Sequence, residues 1–345
     1  MIDVESDKIL VKKIQSEQWI GHVLKDKNFE NFFATPHWNR TLYVGKTSPF
    51  FVGDWEEAFE KNKLNKKKLS KLKEFGWLDQ TIDYHIDVNG FRTDNSIKDY
   101  NDYAKGDNVI YAGCSHVFGT GVNLEDTWSY KLHKQIHPEK NYVNISTPGS
   151  GIETIYRYLR YWIPRLKPSH VYIQNLWPST RGEIWQPIRQ DFDLFLSSYA
   201  PSRDYLLEKE KLLTEDDFHN ELQTMTWFFV NKYYPEKSAP NIDYTESINF
   251  SVNVCYDPQP SLMRLIKNLD ALKYVFWKYK VKGYMFPMLD AVRNLENNIF
   301  TMVDNARDLW HPGKITHTKW KNYYANLIDN YKEFDYYNTS ETWHD

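Results

Sequence analysis

The chain has 345 residues, 41% of them hydrophobic, which is enough to build one large or two ordinary buried cores. Lys and Arg total 43 against 46 Asp and Glu, a net charge of -3, so nothing electrostatic argues for nucleic acid as the main partner. Two cysteines, Cys114 and Cys255, exclude a disulfide framework, and Lys, Arg, Asn or Asp interrupts every apolar run before it reaches the length of a membrane span.

Met1 to Glu5 has neither the charged start nor the apolar run of a signal peptide, so a cytoplasmic or otherwise intracellular location is expected, with association with a virus particle as the alternative. Residues 1–105 show no clean alternation of strand and helix and are read as an N-terminal extension packed on the core. Trp, Phe and Pro recur irregularly in it, and a charged helical segment is expected over about 54–75. Its basic block, Lys61 to Lys73, reads as a solvated helix face in preference to a polyanion site. Aromatic residues reach 17%, with 13 Trp and 25 Tyr. Core filling is the ordinary use of such rings, and stacking on sugar faces is the other.

Regular α/β rhythm starts near Gly106, and 106–180 is read as the first part of a core. Asn108 to Ala112 is a short apolar run suited to a buried parallel strand, followed by a helix from about Asp126 with that acid as N-cap. Tyr142 to Ile145 reads as the second strand. Ile152, Ile155, Tyr156, Leu159, Trp162 and Ile163 then form one helical stripe over about 151–165, and His170 to Gln174 is the third strand. Residues 181–259 break the rhythm and read as a mostly helical insertion or cap, with a helix expected at 215–233. The core resumes over 260–332 with a long amphipathic helix through Leu262, Leu265, Ile266, Leu269, Leu272, Val275 and Phe276. A fourth strand at Val281 to Phe286 and a closing helix over about 314–328 follow, and 333–345 is a tail. The pattern predicts a doubly wound parallel sheet, whose ligands bind at the carboxyl ends of its strands.

Three stretches fall beyond those strand ends or in the last loop. Ser115, in Gly113-Cys114-Ser115-His116, follows the first strand on a turn expected to expose its hydroxyl. A serine needs a base to become a nucleophile, and His311 is the candidate, with Asp308 three residues earlier to orient it. Acyl transfer also needs donors for the developing oxyanion. The backbone N–H groups of Ser115 and Gly149 and the side-chain amide of Asn175 are the candidates. His116, Trp177 and Trp310 are candidate pocket residues. Each signal alone has an ordinary reading as a turn, a local Asn hydrogen bond or a helix cap.

Together these residues resemble the SGNH (GDSL-like) hydrolase superfamily, whose blocks are named for Ser, Gly, Asn and His. Gly113-Cys114-Ser115 resembles its first block, Pro148-Gly149 its second, Asn175 its third and Asp308-Leu309-Trp310-His311 its fourth. Phe118 to Val122 after the serine and Asn89-Gly90-Phe91-Arg92 upstream are similar to related proteins as well. The resemblance covers about 106–177 and 260–327. It implies a flavodoxin-like three-layer α/β/α fold, no metal or organic cofactor, and hydrolysis of esters, often acyl groups on sugars or lipids. A Ser115–His311–Asp308 triad acting on a small-molecule or glycan ester is thus expected. Cys114 and Leu176 stand where the first and third blocks usually carry Asp, so the hydrogen-bond network around the site should differ.

Four other readings are weighed. Cys114, His116, His133, His137, His311 and His317 match no tight zinc spacing, and Cys114 as the nucleophile is disfavoured because neighbouring side chains point apart. A non-catalytic glycan-binding or virion-assembly protein would keep the fold without turnover. An O-acyltransferase would use the same triad with an alcohol in place of water.

Overall fold

A computed structural model describes residues 45–51, 54–94, 100–148, 150–177, 181–185, 195–199, 258–289 and 302–330. The described strands are β1 (Lys46–Ser48), β2 (Tyr84–Ile86), β3 (Arg92–Thr93), β4 (Asn108–Ala112), β5 (Asn141–Asn144), β6 (His170–Trp177), β7 (Arg181–Trp185), β8 (Phe195–Tyr199) and β9 (Lys282–Leu289). The described helices are α1 (Glu56–Leu64), α2 (Lys66–Glu74), α3 (Tyr100–Ala104), α4 (Ser115–Phe118), α5 (Trp128–Ile136), α6 (Ile152–Leu166), α7 (Pro258–Tyr279) and α8 (Lys314–Asn330).

Seven strands form one sheet in the order β1-β2-β3-β5-β4-β6-β9, and β5, β4, β6 and β9 are parallel. Successive residues of β4 point to opposite faces, as the strand period requires. Ile110 and Ala112 join the cluster under α6 and α7, whereas Val109 and Tyr111 join the cluster under α5 and α8. That gives the expected three layers. The first strand of the core lies between the second and third, so the winding reverses at β4, and the crevice at its carboxyl end is where such sheets bind ligands.

Among the described residues, many aromatic side chains fill the core. Tyr142, Tyr111, Tyr172 and Tyr284 stack in a row across β5, β4, β6 and β9, with ring centroids 5.0, 5.2 and 4.9 Å apart. Phe286 continues the layer by stacking on Tyr324 of α8 at 4.3 Å. Flat rings on adjacent strands bury large area and pack at offset-stacking distance.

Several expectations shift. The extension is no mere appendage: β1, β2 and β3 continue the sheet antiparallel, with Arg92 registered on Asn144 of β5. These strands are two or three residues long, too short for a period-2 pattern. The charged segment is two helices broken at Asn65, whose side chain caps α2, and Lys66, Lys67 and Lys68 are exposed. Asp126 is not the N-cap of α5. It ends a short 3-10 turn and pairs with Lys314 at 3.0 Å, and Thr127 caps instead by accepting from the Tyr130 N–H. Ile266 is 37% exposed and lies off the buried stripe of α7. Within 181–259, residues 181–185 and 195–199 form the antiparallel pair β7–β8, residues 258–259 already begin α7, and the helix expected at 215–233 lies outside the described residues. No helix among the described residues is long and apolar enough to cross a membrane.

Candidate active site

Ser115 opens α4 directly beyond β4, with Cys114 as the preceding N-cap residue. Gly113 permits this sharp turn. A Cβ there would lie 2.3 Å from Val117 Cγ2 and 3.0 Å from the Gln174 carbonyl oxygen, so the turn presses against the end of β6 just before Asn175. After α4 the chain reverses through Gly119 and Gly121, at φ +84° and +78°, values that favour glycine. Ser115 is 3% exposed, which corrects the expectation of an open hydroxyl. The loop carrying His311 lies beside its turn.

That loop is pinched at its neck by a bridge between Asn305 and Pro312, and the Ala306 N–H donates to the His311 carbonyl at 2.9 Å. Asp308 organises it. Its Oδ1 accepts the backbone N–H groups of Trp310 and His311 at 3.0 and 3.1 Å, and its Oδ2 accepts from His311 Nδ1. An acid three residues before the histidine can therefore fix both the turn and the imidazole. With Nδ1 donating to the carboxylate, Nε2 keeps its lone pair and can accept a proton. The Asp308 side chain is 3% exposed and that of His311 20%, so a partly exposed imidazole lies over a buried carboxylate. Asp304 caps α8 immediately after the loop, accepting from the Ile315 and Thr316 N–H groups at 2.9 and 2.8 Å.

His116 joins the two halves. Its ring meets His311 edge-on at 5.7 Å and tilts against Trp320 at 5.5 Å. The Ser115 turn and the Asp308–His311 loop thus adjoin. Gly121 makes a second bridge between them: its carbonyl accepts the Arg307 N–H at 3.0 Å, and a Cβ there would lie 2.7 Å from Ala306 Cβ and 3.3 Å from Asp308 Oδ1.

The oxyanion candidates are placed by backbone only. Asn175 lies in β6, in register with Pro287 of β9, and Trp177 lies two residues on, opposite Leu289. Gly149 lies outside the described residues, but its neighbours converge on the Ser115 turn: the Thr147 N–H and the Ser150 hydroxyl both donate to the Gly113 carbonyl, at 3.2 and 2.7 Å. Trp310 is 77% exposed beside His311.

Residues that sequence reasoning did not single out for a role surround the site. Buried Arg92 donates to the carbonyls of Phe118, Gly119 and Val122 at 2.8, 2.6 and 2.8 Å. Arg307 pairs with Asp54 through two bonds, Nη2 to Oδ2 at 2.6 Å and Nε to Oδ1 at 3.2 Å. Tyr84 donates to Asp54 at 2.7 Å and accepts from the Gly121 N–H at 2.7 Å. Burial raises the Asp54 carboxyl above its ordinary value, although Arg307 and Tyr84 both pull it down. The only sequence signal was Asn89-Gly90-Phe91-Arg92, which forms the tight turn between β2 and β3, with Asp87 Oδ1 accepting from the Asn89 and Phe91 N–H groups at 2.8 Å.

The remaining metal candidates disperse. His317 lies in the first turn of α8, accepts from the Trp128 N–H at 3.2 Å, and is pushed down to about 3, first by burial and then by nearby Lys131. His133 and His137 lie near the opposite end of the sheet, by Lys140 and Tyr172. Among the described residues no three His, Cys, Asp or Glu side chains group as a metal site. Cys114 is a buried free thiol, and Cys255 lies outside the described residues.

No protein-family model matches the chain, and no curated protein matches it in sequence. Solved structures do match in arrangement. EstA, an esterase from Pseudoalteromonas sp., is 16% identical over 65% of this chain and 100% of its own, with a TM-score of 0.27. A lipolytic protein of the G-D-S-L family from Veillonella parvula is 11% identical over 65% of this chain and 99% of its own, with a TM-score of 0.26. An acetyl xylan esterase from Geobacillus stearothermophilus is 12% identical over 64% and 94%, with a TM-score of 0.24. The first two span essentially their whole length on this chain. At these scores the likeness carries no argument for chemistry or substrate.

Proposed function

We propose that the chain is a serine esterase that cleaves an acyl group, most suitably a short one carried on a carbohydrate, through Ser115, His311 and Asp308. The observation that carries this reading is the Asp308–His311 pair, buried acid to half-buried imidazole, lying beside the turn that holds Ser115. His311 Nε2 takes the Ser115 proton as Oγ bonds to the acyl carbon, and Asp308 balances the imidazolium. The tetrahedral oxyanion is held by N–H groups of Ser115, Gly149 and Asn175. Collapse breaks the ester C–O bond, and His311 returns its proton to the departing alcohol. Water then repeats the cycle on the acyl-enzyme, giving acid and free serine. An alcohol in place of water gives acyl transfer by the same steps. The exposed Trp310 ring beside His311 suits a pyranose face, which supports a sugar ester.

Incubation with acetylated xylo-oligosaccharides, with and without an added sugar acceptor, tests the reading. Acetate release by the wild type and none by Ser115→Ala is the expected result. Equal release by both would refute it. New acetylated acceptor with less free acetate would assign transfer.

A further inference from the structure

The groups that would react sit on two separate loops, and both are fastened to the N-terminal segment and not only to the α/β core. Arg92 reaches from β3 to bind three carbonyls in the stretch after Ser115, those of Phe118, Gly119 and Val122. Its guanidinium also lies 4.4 Å above the Tyr84 ring and 5.3 Å from the Phe118 ring. On the other loop, Arg307 adjoins Asp308 in sequence and is held by Asp54 and by the Pro49 carbonyl. Trp77 Nε1–H donates to the Asn305 carbonyl at 2.8 Å at the neck of that loop. Tyr84 connects the two sides, bonded to Asp54 and to Gly121. A fully buried cation held by three loop carbonyls with its Nε left unpartnered, and a buried two-bond ion pair, are expensive ways to fill a core. Their geometry is rigid and directional.

We propose that Arg92 and the Asp54–Arg307 pair are positioning residues, through which residues 49–93 set the separation of the Ser115 turn from the Asp308–His311 loop. The proposal rests on the esterase reading. Neither arginine touches the reacting atoms. Each fixes a loop that does, so loosening either misaligns Ser115 with His311 without removing a group that would bind the probe. A misplacement of about 1 Å costs on the order of 100-fold in rate.

The test is the concentration dependence of labelling by a small alkyl fluorophosphonate, followed by intact mass, on wild type, Arg92→Met, Arg92→Lys and Asp54→Asn. Melting curves select an assay temperature at which each variant is folded. Arg92→Met should lose about 100-fold in maximal labelling rate while its half-saturating concentration stays within about twofold. Arg92→Lys, which keeps a cation able to donate to the carbonyls, should regain part of that rate. Asp54→Asn keeps the side-chain shape, weakens the hold on Arg307, and should fall in the same direction even where Arg92→Met does not fold. Folded variants that label at the wild-type maximal rate, or lose only half-saturation, overturn the positioning role alone. A folded wild type that does not label overturns the esterase reading, and the positioning role with it.

Discussion

Asp308 makes the sharpest single-residue prediction because both its oxygens are engaged. In Asp308→Asn the amide oxygen can still accept from the Trp310 and His311 N–H groups, but the amide NH₂ then faces His311 Nδ1. A donor there forces the imidazole into the tautomer with its proton on Nε2, where it cannot take one from Ser115. The variant should keep its fold and lose about 10³–10⁴-fold in kcat, as read by single-turnover ester cleavage. His311→Ala should be at least as slow, and wild-type rates in either variant would contradict the assignment. The residues proposed as acid, base and nucleophile all stand in short sequence blocks. Nothing in those blocks marks Arg92: Cys114 precedes α4 without capping it, and the carbonyls after the turn are bonded by Arg92 from the distant β3.

At the scale of elements, the glycine turns and the antiparallel strands decide whether the site assembles. Gly121→Ala places a Cβ 2.7 Å from Ala306 Cβ at a φ of +78°, where an L side chain is strained. It should cost roughly 1–3 kcal/mol in urea unfolding and push the two loops apart. Asp54→Ala leaves Arg307 as a buried unpaired cation and should cost roughly 3–5 kcal/mol on the same measurement. An Asp54→Ala variant as stable as wild type would mean the pair is not closed in solution. The parallel strands and the long helices were readable from apolar runs and helical stripes. Strands β1, β2 and β3 were not, because they carry two or three residues each and draw their stability from cross-chain bonds such as Tyr84 to Asp54. Long-range pairing of this kind leaves no local periodicity.

At the scale of the whole molecule, wholly or partly buried imidazoles contribute to the acid response. His133 and His170 are pushed down to about 4 and His317 to about 3, in each case first by burial. Their unfolded value is near 6.5, so above it both states are neutral and the groups contribute no pH dependence. As the pH falls from 6.5 toward 4 the unfolded chain binds protons that the folded chain refuses, and stability drops. Asp54 and Asp87, raised by burial, act in the opposite sense because the folded state holds their protons more tightly. The histidine contribution is therefore isolated by difference: the urea midpoint of His317→Gln, which cannot titrate, should fall less than that of wild type between about pH 7 and pH 5. Equal falls would place His317 outside the buried network. The architecture as a whole brings the ends of β4, β5 and β6 and the loop before α8 to one edge, and an N-terminal segment ties them there. Whether that edge activates a serine is the central question, and intact-mass labelling with a fluorophosphonate, on wild type and Ser115→Ala in parallel, answers it most directly. The account predicts one adduct on the wild type, mapping to Ser115 and missing from the variant. A folded wild type that stays unlabelled, or an adduct that survives in Ser115→Ala, would contradict it.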